Sequence, residues 1–260
     1  MSADRRRAEL SQHFLRKGAT AARLVEATSI SRSDVVVEIG AGRGALTLPL
    51  SRRAGRVIAV EVDPALSVQL SGRFAHHVEI VNDDFLAMRL PENPYKAFGN
   101  VPFASTTDIV RKLVRAPNPP NDAWLVVQRE AAQRFCGAPY VGESLWSLRL
   151  KPWWHVEIVD RLRRVDFDPP PSVESVLIWL SRRERALLND AEARAYRNLV
   201  ENAFDGDRSV RSATTRWMSK IEIRRLALDL RFGIDFRASM LSFEQWLGIV
   251  RFIERMRRSG

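Results

Sequence analysis

Three glycines in "VEIGAGRGALT" (37–47), Gly40, Gly42 and Gly44, fall where a β-branched run gives way to a helical one. Glycine lets the backbone come close to a bound group, and the N–H groups at a helix start are free to receive it. A second β-branched run ends in Glu61, with Asp63 close by. A carboxylate about twenty residues past the glycines suits the hydroxyls of a ribose. The string also satisfies G-x-G-x-x-A through Ala45, so a dehydrogenase-type site stays open at this point. Two further run ends are polar. In "NDDF" (82–85) Asp84 can accept from an adenine amino group, and in "FGNVPF" (98–103) Asn100 stands beside Pro102 and Phe103. An amide next to a proline-stiffened ring offers hydrogen bonds and a flat apolar face; the plainer alternative is a helix cap with Phe103 in the core. None of the four histidines (13, 76, 77 and 155) is flanked by the acid that would tune it as a hydride-transfer partner.

These groups need a scaffold that brings run ends together. Short apolar runs at 34–40, 56–63, 78–83, 96–103 and 122–128 alternate with helical stretches such as "STTDIVRKLVR" (105–115), where Ile109, Val110, Leu113 and Val114 share a face. Later runs fall at 155–162 and 175–180 with no clear helix between them, so an antiparallel hairpin is expected at that edge. The alternation predicts an α/β domain with a mostly parallel seven-stranded sheet covered on both faces. From about residue 183 the strands stop, and "DAEARAYRNLVENAF", "RSVRSATTRWM" and "SFEQWLGIVRFIERMRR" read as amphipathic helices with basic faces. The expected division is therefore 1–182 and a small all-helical domain at 183–260.

Charge narrows the partner. The chain carries 41 basic against 31 acidic residues, a net +10 over 260 residues, and such a field attracts polyanions, nucleic acid above all. Lysine occurs at only five positions; codon usage accounts for the choice of arginine but not for the excess over acid. The single cysteine, Cys136, excludes an internal disulfide or a thiolate metal cluster and fits a reducing compartment. The opening "MSADRRRAEL" lacks the apolar core of a signal peptide, and no uncharged run approaches a membrane span, so a cytoplasmic protein without membrane contact is expected.

The ordered set "SQHFL" (11–15), "EIGAGRGALT", "VEVD" (60–63), "NDDF", "GNVPF" and "FDPPPSVES" (167–175) resembles the rRNA adenine N6-dimethyltransferases over about residues 10–180. "SQ" before "xFL" and "SLRLKPWW" (147–154) resemble the Erm branch, which modifies 23S rRNA and confers macrolide, lincosamide and streptogramin B resistance. The resemblance implies a Rossmann-like class I methyltransferase using S-adenosyl-L-methionine. By similarity Gln12 and His13 flank that cofactor, Gly40 and Gly42 receive its methionine part, Glu61 its ribose and Asp84 its adenine, and Val62 is a further cofactor-binding residue. Asn100 faces cofactor and target together. His13 stands where the family usually has Asn, and Phe103 where it usually has Tyr.

The same resemblance implies what Asn100 does. An adenine amine is a poor nucleophile because its lone pair is delocalised into the ring. The Asn100 amide oxygen and the Val101 carbonyl would accept its hydrogens and favour a pyramidal nitrogen. Phe103 would stack on the flipped base, and Phe167 would close it from the other side. No metal is required. RNA contacts are expected from Arg5–Arg7, Arg111, Lys112, Arg134, Arg161, Arg163, Arg164, Arg208 and Arg211. The expected partner is 23S rRNA before or during ribosome assembly, met by a monomer. The alternatives are small-subunit rRNA as target, or a non-catalytic nucleic-acid-binding relative of the same fold.

Overall fold

A computed structural model describes residues 13–16, 18–74, 76–206 and 208–259. Nine strands occur among them: β1 (Phe14–Leu15), β2 (Val35–Ile39), β3 (Arg56–Glu61), β4 (Val78–Asn82), β5 (Lys96–Asn100), β6 (Asp122–Gln128), β7 (Trp154–Leu162), β8 (Phe167–Asp168) and β9 (Ser175–Arg182). Seven of them form one sheet in the order β4-β3-β2-β5-β6-β9-β7, and β1 pairs antiparallel with β8 as a separate ribbon. From β4 across to β6 every pairing is parallel, whereas β9 runs antiparallel to β6. The sheet is mixed and mostly parallel, as the alternation predicts.

Local chemistry explains the centre of this sheet. β2 is "VVVEI", a continuous run with four of five residues buried, as a strand covered on both faces requires. Gly99 lies opposite Ile39 in the β2–β5 register, and a Cβ there would stand 2.7 Å from the Ile39 carbonyl oxygen. Only glycine lets the two backbones lie so close. The strand order reverses between β2 and β5, and in such sheets the ligand crevice opens beyond the carboxyl ends at that point. β5 stops at Asn100: the Val101 N–H still donates to the Val126 carbonyl at 3.3 Å, but Pro102 has no N–H to extend the ladder.

The helices of this half are α1 (Gly18–Glu26), α2 (Thr47–Arg53), α3 (Pro64–Leu70) and α4 (Thr106–Arg115). Asp63 caps α3, its side chain accepting from the Ala65 N–H at 2.8 Å with Pro64 at the first helical position. Further along come α5 (Arg129–Cys136), α6 (Leu145–Leu150), α7 (Asp190–Phe204), α8 (Val210–Thr214), α9 (Lys220–Leu230) and α10 (Phe243–Ser259). None of the described helices is long and apolar enough to cross a membrane.

The chain forms two compact units. One holds the residues up to Ala132 with Glu157–Arg182; the other holds Gln133–Val156 with the residues from Arg183 on. The second unit has its own core, in which Leu148 joins Tyr196, Leu199, Trp246 and Val250. The Tyr196 hydroxyl donates to the Leu148 carbonyl at 3.0 Å, and Arg149 pairs with Glu201 at 2.8 Å. Residues 133–156 therefore belong with the C-terminal helices, although in sequence they stand among the strands. Trp153 packs on this core as well.

Candidate active site

Beyond β2 the three glycines all adopt left-handed backbone, with φ of +74° at Gly40, +57° at Gly42 and +81° at Gly44. A Cβ at Gly42 would come within 2.9 Å of the Phe14 ring. The first helical turn is not at the glycines: α2 begins at Thr47 after a run of turns, because left-handed residues cannot propagate a right-handed helix. The donors here are loop N–H groups. Those of Gly40 and Ala41 both go to the Val60 carbonyl at 3.0 Å, while that of Gly42 goes to Glu61 Oε2 at 2.7 Å. Glu61 Oε1 accepts from the Asp63 N–H at 2.9 Å. Glu61 is only 2% exposed, so its carboxylate is pinned between the loops after β2 and β3. Each oxygen keeps a further lone pair for a ligand hydroxyl.

At the end of β5 the Asn100 Nδ2 donates to the backbone carbonyl of His13 at 2.7 Å. A carbonyl only accepts, so this contact settles which end of the amide is nitrogen and leaves Oδ1 as a free acceptor. Phe103 opens a 3₁₀ turn, Phe103–Ser105, held by the Ser105 N–H on the Pro102 carbonyl at 3.0 Å, and α4 follows directly. The His13 ring lies 5.4 Å from that of Phe103, tilted by 31°. His13 Nδ1 donates to the Pro169 carbonyl at 2.8 Å, the Arg16 N–H to the Asp166 carbonyl at 2.7 Å, and the Arg43 guanidinium sits 5.0 Å above the Phe14 ring. The segment around β1 is thus strapped across the carboxyl ends of β2 and β5.

His13, Phe14, Gly40, Gly42, Glu61, Val62, Asn100, Val101, Pro102 and Phe103 line one cleft that opens to solvent. Of the residues expected at the site, His13, Gly40, Gly42, Glu61, Val62, Asn100 and Phe103 are brought together here. Phe14, Val101 and Pro102 line it too; Phe14 escaped notice because its signal is a single ring inside "SQHFL".

Two site expectations fall elsewhere, and one lies outside the described residues. Gln12 lies outside the described residues. Asp84 stands exposed beyond β4 and away from the cleft lining, its carboxylate accepting from the Leu86 N–H at 2.8 Å. Phe167 needs correction: its ring is 0% exposed and packs in the first unit's core with Leu15 and Leu162. Pairing of β8 with β1 turns that ring inward, so it is not offered to a base in this conformation. Lys112, expected on the RNA-facing surface, is half-buried instead.

A mostly parallel seven-stranded sheet with a glycine loop after β2, an acid at the end of β3 and a polar proline loop after β5 defines a Rossmann-like class I methyltransferase. The chain belongs to the ribosomal RNA adenine dimethylase family, whose sequence model matches residues 3–255. It is 34% identical over 262 residues to an rRNA adenine N-6-methyltransferase of Streptomyces fradiae, covering 97% of this chain and 80% of that one. Identity to the mycinamicin-resistance protein MyrB of Micromonospora griseorubida is 33% over 200 residues, 77% of this chain and 63% of the relative. The solved structure of the 23S rRNA methyltransferase ErmE superposes with a TM-score of 0.84 at 30% identity, covering 93% of this chain and 99% of ErmE.

Proposed function

We propose that this enzyme methylates the N6 amine of one adenine in 23S rRNA, before or during assembly of the large subunit, and so confers resistance to macrolides, lincosamides and streptogramin B. It works as a cytoplasmic monomer. When bound, S-adenosyl-L-methionine supplies an electrophilic methyl group. The residues present fit that molecule. The nearest atom to a Cβ at Gly40 would be the Asn100 carbonyl oxygen 3.9 Å away, which leaves room for an aliphatic tail. Val62, 49% exposed on the cleft, offers an apolar face to a flat base, and Glu61 has lone pairs to spare for the ribose. Asp84 accepts from the cofactor's adenine amine, and His13 adds to the enclosure from the cleft wall.

The observation that carries this reading is the orientation of Asn100. With Nδ2 committed to the His13 carbonyl, Oδ1 and the Val101 carbonyl are the acceptors for the two hydrogens of a target amine. Holding both hydrogens draws the nitrogen toward a pyramidal shape and directs its lone pair. Phe103, partly exposed beside the amide, provides the stacking face for a base taken out of its helix. Phe167 joins it only by turning out of the core.

Single-turnover methylation of an rRNA hairpin tests this. Asn100→Ala is expected to lose about a hundredfold or more in rate with RNA affinity retained, since positioning at the reacting atom is what is disturbed. Phe103→Ala is expected to weaken capture of the adenine by about 1–3 kcal/mol, the usual worth of a stacked base, and Phe103→Tyr to remain active. An Asn100→Ala protein that melts normally and methylates at the parental rate rules the mechanism out. Primer extension on both rRNAs from cells with and without the gene separates a large-subunit target from a small-subunit one.

A further inference from the structure

Lys112 points away from solvent toward the loop that carries Asp84. Its Nζ donates to three main-chain carbonyls, those of Phe85 at 2.5 Å, Leu86 at 3.0 Å and Met88 at 2.5 Å. An ammonium has three N–H donors, and here each has an acceptor. The acceptors are the exposed end of a single turn closed by the Ala87 and Met88 N–H groups on the Asp84 carbonyl, both at 2.9 Å, and by the Leu86 N–H on Asp84 Oδ1. A cation at the carbonyl end of such a turn plays the part of a helix C-terminal charge. Nζ also lies 5.1 Å from the centre of the buried Phe85 ring. Burial lowers the Lys112 pKa, and the charges of Asp84 and Asp83 pull it back up.

The placement matters because Lys112 lies on α4, the helix that starts directly after Asn100–Ser105. One side chain therefore ties the turn bearing Asp84 to the element bearing the Asn100 loop. The neighbouring Arg111 is exposed on the same helix, which separates the two residues in role as well as direction. We propose that Lys112 is a positioning residue for cofactor recognition: by binding the Phe85, Leu86 and Met88 carbonyls it holds the Asp84 carboxylate in place to read the adenine amine. The inference rests on the reading of Asp84 given above.

The test compares binding of S-adenosylhomocysteine and S-inosylhomocysteine, which differ at the base's amine position, to the parent, Lys112→Met and Asp84→Ala proteins by calorimetry. The parent is expected to prefer the adenosyl compound. Lys112→Met should reduce that preference and raise the KM for S-adenosyl-L-methionine by about tenfold, the scale of one lost charge-assisted contact. The loss should appear in KM rather than in kcat, with RNA affinity and its salt slope kept. Loss of base preference in Asp84→Ala but not in Lys112→Met overturns the inference and leaves the Asp84 reading standing. Full preference in Asp84→Ala overturns both. A salt slope smaller by about one in Lys112→Met would make the residue a phosphate contact and also overturn the inference.

Discussion

Glu38 sits within β2 with 0% of its surface exposed, and neither carboxyl oxygen closes a hydrogen bond. Burial pushes its pKa up to about 8; the Thr47 hydroxyl opposes this, the Glu61 charge adds to it, and the Thr47 N–H opposes it again. Thr47 faces the carboxyl without completing a bond, since its own hydroxyl is unpaired too. Glu38 is therefore protonated at neutral pH, which spares the pinned Glu61 a second buried charge. The folded value is raised above the unfolded one, so this group's contribution to stability is fully present below about pH 4.5 and is lost as pH rises through about 8. Glu38→Gln removes the titration. Its thermal melt is expected to gain on the parent's between about pH 5 and about pH 9. Parallel melting curves across that range would show that Glu38 is not the group responsible.

Among the elements, the β1–β8 ribbon contributes most to the site relative to its size. Asp166, just before β8, is 1% exposed and ties α1 to the ribbon: Oδ1 accepts from the Thr20 hydroxyl at 3.2 Å, and Oδ2 from the Arg163 N–H at 2.9 Å. Burial raises its pKa, but the Arg163 and Thr20 hydrogen bonds outweigh that and hold it below the ordinary carboxylate value. Asp166→Ala is expected to destabilise the fold by about 1–3 kcal/mol, the cost of buried donors left unpaired, and to weaken S-adenosyl-L-methionine binding through His13. Melting and calorimetry on the same preparation check this, and a variant with parental cofactor affinity would detach the ribbon from the site. The ribbon was not legible in the sequence. It joins two two-residue strands about 150 positions apart, too short to show a period, and Phe167 consequently read as a ring closing on the base when it is a core one. The seven sheet strands were legible because each falls in a short apolar run, β-branched in all but β5. Helix α9 was hidden for the opposite reason: its Ile221 and Leu228 are 80% exposed while Ile223 and Leu226 are buried, so apolar residues ring its axis instead of marking one face.

At the scale of the molecule, some of the 41 basic side chains are engaged internally, which leaves the net +10 unchanged. Arg16 faces Asp168, Arg56 Glu79, Arg129 Glu174 and Arg211 Asp235, and Lys112 is turned inward. Exposed pairs of this kind hold their partners weakly, so the arginines remain available to phosphates. Affinity for an rRNA hairpin is expected to fall linearly on a log–log plot against salt, with a slope of about −0.7 to −0.9 per phosphate neutralised. Titration at several chloride concentrations measures it. A flat line would mean that the positive surface is solvated and takes no part in holding RNA.

The hydrogen bond from Asn100 ends on a main-chain atom of His13. The main chain at position 13 therefore orients the Asn100 amide whichever side chain it carries, while the His13 ring has a bond of its own to the Pro169 carbonyl. Gly42 has the reverse standing, because a single added methyl would strike the Phe14 ring. The strap thus meets the site in two ways: through a main-chain carbonyl at 13 that any residue supplies, and through a ring at 14 that leaves no room for a side chain at 42.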